Sequence, residues 1–431
     1  MILRLSSAAA RGGLVLVAAA CAAVFAYSGV RNALAAHYAG LNTLDGFERA
    51  VRLEPTNALN WYQLGRYWQY NLENPDGQQA ILDYQKSLAL DPHSADAWSD
   101  LAMAYESENN LPAARDAFLQ AQRAYPLSPE VAWRFGNFLL RRGELDSAFV
   151  QIRRAVQVDP KRGAAAFALC MRVDPDISAV LDRALPPSQE AYLSVVSALA
   201  DQQRSAQALL VWSRLMELHP HLLLTDANPL IEVLLHKNQM LEAQRVWDQA
   251  VTAAGVVRPP DPPGSLVWDG GFESKIVNAG LAWRYAPFAN GVQIALDAKE
   301  KHSGNYSLRL TFNGLRNVDF RDVCQYIAVQ PSTSYRFSAW VQTRSLSTDQ
   351  GVRFALHSIG DSANSMSSTD DVRGTQPWTQ IQLPWFSGTD IRELQLCISR
   401  LPSAKFDSKI RGTAWVDDVV LVPEAREHTK Q

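Results

Sequence analysis

Three prolines, Pro92, Pro126 and Pro160, stand 34 residues apart, and the residues between them repeat. The middle unit carries Trp98, Leu101, Ala102, Tyr105, Ala114, Phe118, Ala121 and Pro126. The next carries Ala132, Phe135, Gly136, Leu139, Ala148, Ile152, Ala155 and Pro160 at the same offsets. The unit before has Trp61, Leu64, Gly65, Trp68, Ala80, Tyr84, Ser87 and Pro92, with extra residues in its inner turn NLENPDG. A fixed period of this length means stacked helical hairpins, each packing only on its neighbours.

The pattern resembles the tetratricopeptide repeat (TPR), whose units read Trp/Leu/Gly/Tyr, then Ala/Phe/Ala/Pro. The resemblance implies a docking scaffold rather than a catalyst. Phe47, Ala50 and Pro55 supply a preceding half repeat, so the solenoid is expected from about residue 38. The period breaks over residues 161–187, a degenerate hairpin, and returns with Tyr192, Val195, Val196, Leu199, Ala208, Trp212, Leu215 and Pro220. A last, weaker unit with Ala243, Trp247 and Ala250 ends the solenoid at about 254.

First helices line the groove of such repeats. The resemblance therefore places Tyr62, Arg66, Asp96, Met103, Glu106, Trp133 and Asn137 there, an aromatic and polar mixture expected to lack a cationic cluster. It implies a protein partner whose identity the residues do not specify.

The N-terminus has its own signature. Gly12 to Val30 holds no charged residue, and these 19 residues just suffice to cross a bilayer as a helix. Arg4 and Arg11 precede the run, which favours a cytoplasmic stub (1–11) and export of the bulk of the chain. An uncleaved anchor over 12–30 is the leading reading. A cleaved signal peptide, with small residues at 18–20 or 33–35, and a lipidated Cys21 are the alternatives.

After the helices comes VVRPPDPPGS, with four prolines in ten residues. Neither helix nor sheet continues through such a segment, so 255–265 is expected to be an extended linker. Beyond it the apolar period changes from 3.6 to 2, in SLRLTF, VCQYIAV, SYRFSAWVQT, VRFALHS, TQIQLPW, LQLCIS and AWVDDVVLV. Short alternating runs between Gly, Pro, Ser and Asp turns indicate an antiparallel β-sandwich over 266–423, with a tail at 424–431. The fold class is thus multidomain α plus β: a transmembrane helix, a TPR α-solenoid and a β-sandwich.

The landmarks WDGGFES, Trp283, HSGNYSLRLTF, CQYIAVQPSTSYRFSAWVQT and TAWVDDVVLV occur in that order. They resemble the jelly-roll carbohydrate-binding modules of bacterial xylanases and cellulases, within the galactose-binding-like group. Alternation puts Tyr335, Phe337, Ala339 and Val341 on the core side. Trp340, Tyr326, Gln342, Arg353 and His357 then share the outward parity, on strands expected to neighbour one another in one sheet. Rings beside hydrogen-bonding groups suit a saccharide, whereas Trp340 beneath a loop as a small second core is the plain alternative. The resemblance also implies a structural calcium held by Glu273, Asp417 and Asp418, with the carbonyls near Gly271 and Gly304. Cys324 and Cys397 share one kind of face in an exported domain and can pair.

No HExxH, GxSxG, P-loop or CxxC motif occurs, and the eight histidines are scattered. A formal charge of −3 implies no nucleic-acid partner. The expectation is a non-catalytic scaffold in a bacterial inner membrane, its bulk periplasmic or extracellular, docking a protein and meeting a polysaccharide. A purely protein-binding assembly factor with a structural jelly roll is the rival, and a glycan-active enzyme the third reading.

Overall fold

A computed structural model describes residues 8–285, 287–289, 291–360 and 365–424. The first seven residues of the expected stub, and the tail beyond 424, lie outside the described residues. Contacts divide the chain into two compact units, Met1–Pro186 and Pro187–Gln431.

The first unit begins with α1 (Ala8–Ala39), whose span Arg11–Ala39 is long and apolar enough to cross a membrane. The helix does not stop at Val30. It runs through Arg31 until Ala35 and Ala39 are buried against α2 (Leu44–Leu53). The half repeat therefore takes its first helix from the end of the apolar segment. Hairpins follow: α3 (Ala58–Tyr70) with α4 (Gly77–Leu90), α5 (Ala95–Ser107) with α6 (Leu111–Ala124), and α7 (Pro129–Arg141) with α8 (Leu145–Val158). Each helix from α3 to α7 has a side-chain N-cap, from Asn57, Asp76, Ser94, Asn110 and Ser128. The degenerate stretch forms α9 (Gly163–Cys170) and α10 (Ile177–Ala184).

Small residues set how closely paired helices lie. A Cβ on Gly65 would come within 2.8 Å of the Tyr84 ring, and one on Gly136 within 2.8 Å of Ile152. Phe118 fills the equivalent place beside Ala102, and all these side chains are buried.

The second unit combines helices and sheets. Helices α11 (Gln189–Asp201), α12 (Ser205–Glu217), α13 (Asn228–His236) and α14 (Met240–Ala253) precede the sandwich. Its strands are β1 (Phe288–Ala289), β2 (Val292–Asp297), β3 (Ser307–Asn313), β4 (Phe320–Ala328) and β5 (Ser334–Leu346), then β6 (Arg353–Ile359), β7 (Ser365–Ser368), β8 (Gly374–Phe386), β9 (Glu393–Arg400) and β10 (Arg411–Pro423). They form a six-stranded sheet ordered β1-β2-β3-β10-β5-β8 and a four-stranded sheet ordered β4-β9-β6-β7, antiparallel throughout. Tyr335, Phe337, Ala339 and Val341 face Phe354, Leu356, Leu394, Leu396 and Ile398 in one dry core. Phe337 and Phe354 bring their rings within 4.9 Å across it.

The proline-rich segment does not hold the last hairpin away from the sandwich. Trp247 of α14 meets Trp268 edge-on at 5.4 Å. The N–H of Gly280 donates to Asn228 of α13 at 2.7 Å. Gly280 has φ +52°, and a Cβ there would lie 2.0 Å from the Trp247 ring, so only glycine permits this seat. Within 255–265 itself, Asp261 accepts the N–H groups of Asp269 and Gly270.

Repeat packing gives a direct test. Ala114 is fully buried where α5 and α6 approach, and Ala114→Leu is expected to overpack that contact and destabilise the chain by about 1–3 kcal/mol. Urea melts of parent and variant measure it.

Candidate functional site

The outward face of the four-stranded sheet carries a row of groups able to recognise a ligand. With Val323, Ile327, Leu394, Leu396, Phe354 and Leu356 turned inward, alternation leaves Tyr326, Gln395 and His357 outward. Register then aligns them: Tyr326 lies opposite Gln395, Gln395 opposite His357, and His357 opposite Met366. One ring, one amide, one imidazole and one thioether thus cross the sheet in a single row. Gln395 donates to the Tyr326 hydroxyl at 3.0 Å. Arg321, Ser365 and Cys397 complete a small cleft of about 150 Å³ around His357, Met366 and Gln395.

The next row is covalently tied. Cys324 and Cys397 lie directly opposite and are joined by a disulfide, with Cα atoms 4.2 Å apart. On the other side of the Tyr326 row stands Glu393, only 3% exposed, with one carboxyl oxygen buried and without a partner. Burial pushes its carboxyl up to about 7. Arg284, whose backbone pairs with Cys324, lies 5.3 Å over the Tyr326 ring and bonds Glu232 of α13.

The expected saccharide residues do not all meet. Tyr326 and His357 share this face, and Arg353 stands at its end, held by Gln350 at 2.7 Å and by Asp371 at 3.5 Å. Trp340 and Gln342 belong to β5, in the other sheet. Parity says which way a side chain points from its own sheet but not to which sheet its strand belongs, so these two residues face away on the opposite side of the sandwich.

There Trp340 is half-buried. The His302 ring stacks on it at 3.9 Å, and Trp378 meets His302 edge-on. Glu300 on the same loop accepts from Gln342 and Arg344. The three rings form a partly exposed cluster, with His302 exposed and Trp340 and Trp378 half-buried.

The acids Glu273, Asp417 and Asp418 do converge, upon that same loop. A bulge in β10, with Asp418 at φ +48°, sends both aspartates toward residues 302–306. Asp417 accepts the N–H groups of His302 and Ser303, while Asp418 binds the His302 ring and the Ser303 hydroxyl. Glu273 accepts from the N–H groups of Asn305 and Tyr306 and from the Asn305 amide. Gly304, at φ +59°, leaves the room that Glu273 occupies, since a Cβ there would lie 2.0 Å from its carboxyl oxygen. Gly271 lies beside both aspartates. These carboxylates face N–H and O–H donors, not the oxygen-rich shell calcium takes. Among the described residues, no group of three His, Cys, Asp or Glu is placed to hold a metal ion. The cluster fits a clasp for the loop and does not fit a calcium cage.

In the first unit the expected groove residues organise around one they omit. Asp100, 2% exposed, accepts from Tyr62 at 2.8 Å and from Arg134 at 2.6 Å, with Arg66 at 3.5 Å. Burial beside Asp100 pushes the Tyr62 hydroxyl up. Glu106 forms a two-point pair with Arg141, Arg162 lies over Trp133, and Asn137 donates to the Trp133 carbonyl. Met103 packs against the core, and Asp96 is exposed. The groove thus does contain cations, Arg66, Arg134 and Arg162, each beside a carboxylate or a ring. Asp100 follows Asp96 by four residues on one helix face, so the 3.6-residue period could have found it. A pocket of about 610 Å³ opens beside Arg66, lined by Phe47, Gln63, Tyr67 and Tyr70.

Comparisons with known proteins agree with this architecture. Residues 264–403 match the model of a carbohydrate binding domain, and residues 72–134 that of a tetratricopeptide repeat. The chain joins a TPR solenoid to a carbohydrate-binding-type jelly roll. Among solved structures, MamA is similar at 19% identity over 40% of this chain and 85% of its own, with a TM-score of 0.26. YrrB, a TPR protein with an unusual peptide-binding site, is similar at 17% over 50% and 95%, with a TM-score of 0.26. The CBM22-1 xylan-binding domain of Paenibacillus barcinonensis Xyn10C is similar at 14% over 36% and 91%, with a TM-score of 0.27. No curated protein matches the chain.

Two measurements check the jelly-roll face assignments. Trp340→Ala is expected to destabilise by about 2–3 kcal/mol, somewhat less than a fully buried tryptophan, because the His302 stack is lost. For Glu393, the folded carboxyl titrates above an unfolded glutamate at about 4.3. The fold favours its protonated form, so its contribution is fully present below about pH 4 and is lost as pH rises to about 7. Glu393→Gln should remove that part of the fall, read as a smaller difference between denaturation midpoints at pH 5 and pH 8.

Proposed function

We propose that the protein is a non-catalytic, membrane-anchored scaffold whose solenoid docks a protein partner and whose jelly roll holds an extracytoplasmic polysaccharide. The observation that carries the glycan half is the aligned row Tyr326–Gln395–His357–Met366 beside an open cleft, on a fold matched by a carbohydrate-binding domain. Gln395 and His357 offer a donor and an acceptor to sugar hydroxyls, and the Tyr326 ring, with Arg284 over it, borders them. The TPR match and the Asp100-centred groove support the docking half. The apolar span of α1 supports anchorage in a bacterial inner membrane with the bulk outside the cytoplasm. Service to the synthesis or export of an envelope polysaccharide would use all three parts.

A purely protein-binding reading is favoured by one observation. A groove of about 780 Å³ lies between α12 and α14 and is lined by Met216, Leu241, Arg245 and Thr252, none of them on the sandwich.

Glycan arrays probed with the full chain decide between the two. Retention of a polysaccharide by the parent, with loss in Tyr326→Ala and in His357→Ala at unchanged melting temperature, is the expected result. Trp340→Ala should retain the ligand as long as it remains folded. An array without any retained glycan leaves the protein-binding reading standing.

A further inference from the structure

Helix α1 fixes more than attachment. It passes unbroken from its apolar run into the first repeat, so the bilayer and the solenoid share one rigid rod. The turn at residues 40–43 reverses the chain, and α2 packs back along α1 through Phe47, Ala50 and Val51 against Ala35 and Ala39. Ten residues of α2 span about 15 Å, the same as the last ten residues of α1. Leu53 therefore returns to the level of Val30 and Arg31, where the uncharged run ends. The Pro55 turn begins there. Because each hairpin reverses direction twice, the turns at Pro92, Pro126 and Pro160 lie on this same edge.

That edge exposes apolar side chains at each of its turns. Leu59, Leu90, Tyr125, Leu127 and Val158 are exposed at 56%, 43%, 56%, 66% and 42%, on successive turns. Trp61 and Trp98 sit on it, each donating its ring N–H to a turn carbonyl, of Pro55 and of Pro92. Arg52, Arg123 and Lys161 are exposed along it, beside the turn acids Asp91, which is exposed, and Glu54 and Asp159, which are half-buried. The opposite edge bears Leu41 and Leu72 at its first turns but is polar at Glu108–Asn110 and Arg142–Glu144. Exposed leucine and aromatic side chains with cations among them suit the headgroup level, and the apolar residues, more than the near-balanced charge, distinguish this edge.

We propose that the inter-repeat-turn edge of the first unit lies on the lipid surface, so that this part of the solenoid rests along the bilayer. The inference rests on reading α1 as a membrane anchor. The occupant it commits to is the bilayer, because the edge is continuous with the helix that enters it.

The test uses the full chain with Cys21→Ser, reconstituted into vesicles of phosphatidylethanolamine and phosphatidylglycerol. Cys170 is buried and Cys324 and Cys397 are paired, so a nitroxide reports only on an introduced thiol. Labels at Leu90→Cys and Leu127→Cys are expected to collide several-fold more with oxygen, relative to a water-soluble nickel chelate, than a label at Arg142→Cys on the opposite edge. Equal ratios at all three positions, with a label at Val17→Cys deep in lipid, overturn the proposal while leaving the anchor intact. A Val17→Cys label in water removes the anchor reading itself, and the proposal with it. Labels at 90 and 127 shielded from both reagents mark a protein-covered edge and also overturn the proposal.

Discussion

Both compact units depend on places where a side chain is missing. In the hairpins, Gly65 and Gly136 let Tyr84 and Ile152 lie against the backbone of the partner helix, and Ala102 does so for Phe118. Close packing leaves no slack for even one methylene, so these contacts set the stagger of every repeat. The same device joins α14 to the sandwich, where Gly280 admits the Trp247 ring and Trp268 closes over it. A large ring against a bare backbone buries apolar area while fixing orientation, which a flexible linker would not do. The last hairpin and the jelly roll therefore behave as a single packed unit, despite the four prolines between them.

A clasp of acids orders one loop on the six-stranded face. Three acids, Glu273, Asp417 and Asp418, hold the loop at residues 302–306 through N–H and O–H donors. The loop in turn lays His302 on Trp340. Burial pushes Asp417 up to about 6, the cost of hiding a carboxylate, and the backbone donors around it offset part of that cost. The outcome is a six-stranded face on which the loop caps Trp340 while the outward residues of β8 stay exposed, and a four-stranded face with a cleft at β6 and β7. The disulfide between Cys324 and Cys397 lies beside that cleft and locks β4 to β9, so the Tyr326–Gln395 spacing is fixed before any ligand arrives.

The parts legible in the sequence are those with a local cause. Repeat residues recur at fixed offsets because each hairpin solves the same packing problem, so Trp98, Ala114 and Pro126 announce themselves. Strand parity is equally local, which is why the core residues around Phe337 and Leu396 could be read directly. Sheet membership is not local. It depends on pairings between strands far apart in the chain, and nothing within β5 says that Trp340 looks away from Tyr326. The end of α1 was hidden for another reason. Hydropathy sees Arg31 as a boundary, whereas the helical backbone continues through an arginine without cost. The proline-rich segment misled in the opposite sense, since prolines end regular structure without separating what they connect. Asp100 was within reach, but attention to exposed groove positions passes over a buried acid that several groove side chains share.

The size of the cleft bears on the kind of ligand the proposed function can serve. About 150 Å³ is smaller than the pockets that enclose drug-sized ligands, typically about 300–1,000 Å³. A single sugar edge can rest there, with most of its surface still in water, so one contact is weak. Such a site works when the ligand repeats itself. A polymer presents many equivalent units, and a protein confined to a membrane meets them at high effective concentration, so each dissociation is followed by rebinding nearby. A free monosaccharide has neither advantage. Under the proposed function, the shallow row of Tyr326, Gln395 and His357 would serve a long chain better than a small soluble sugar, and weak contacts would let that chain move on.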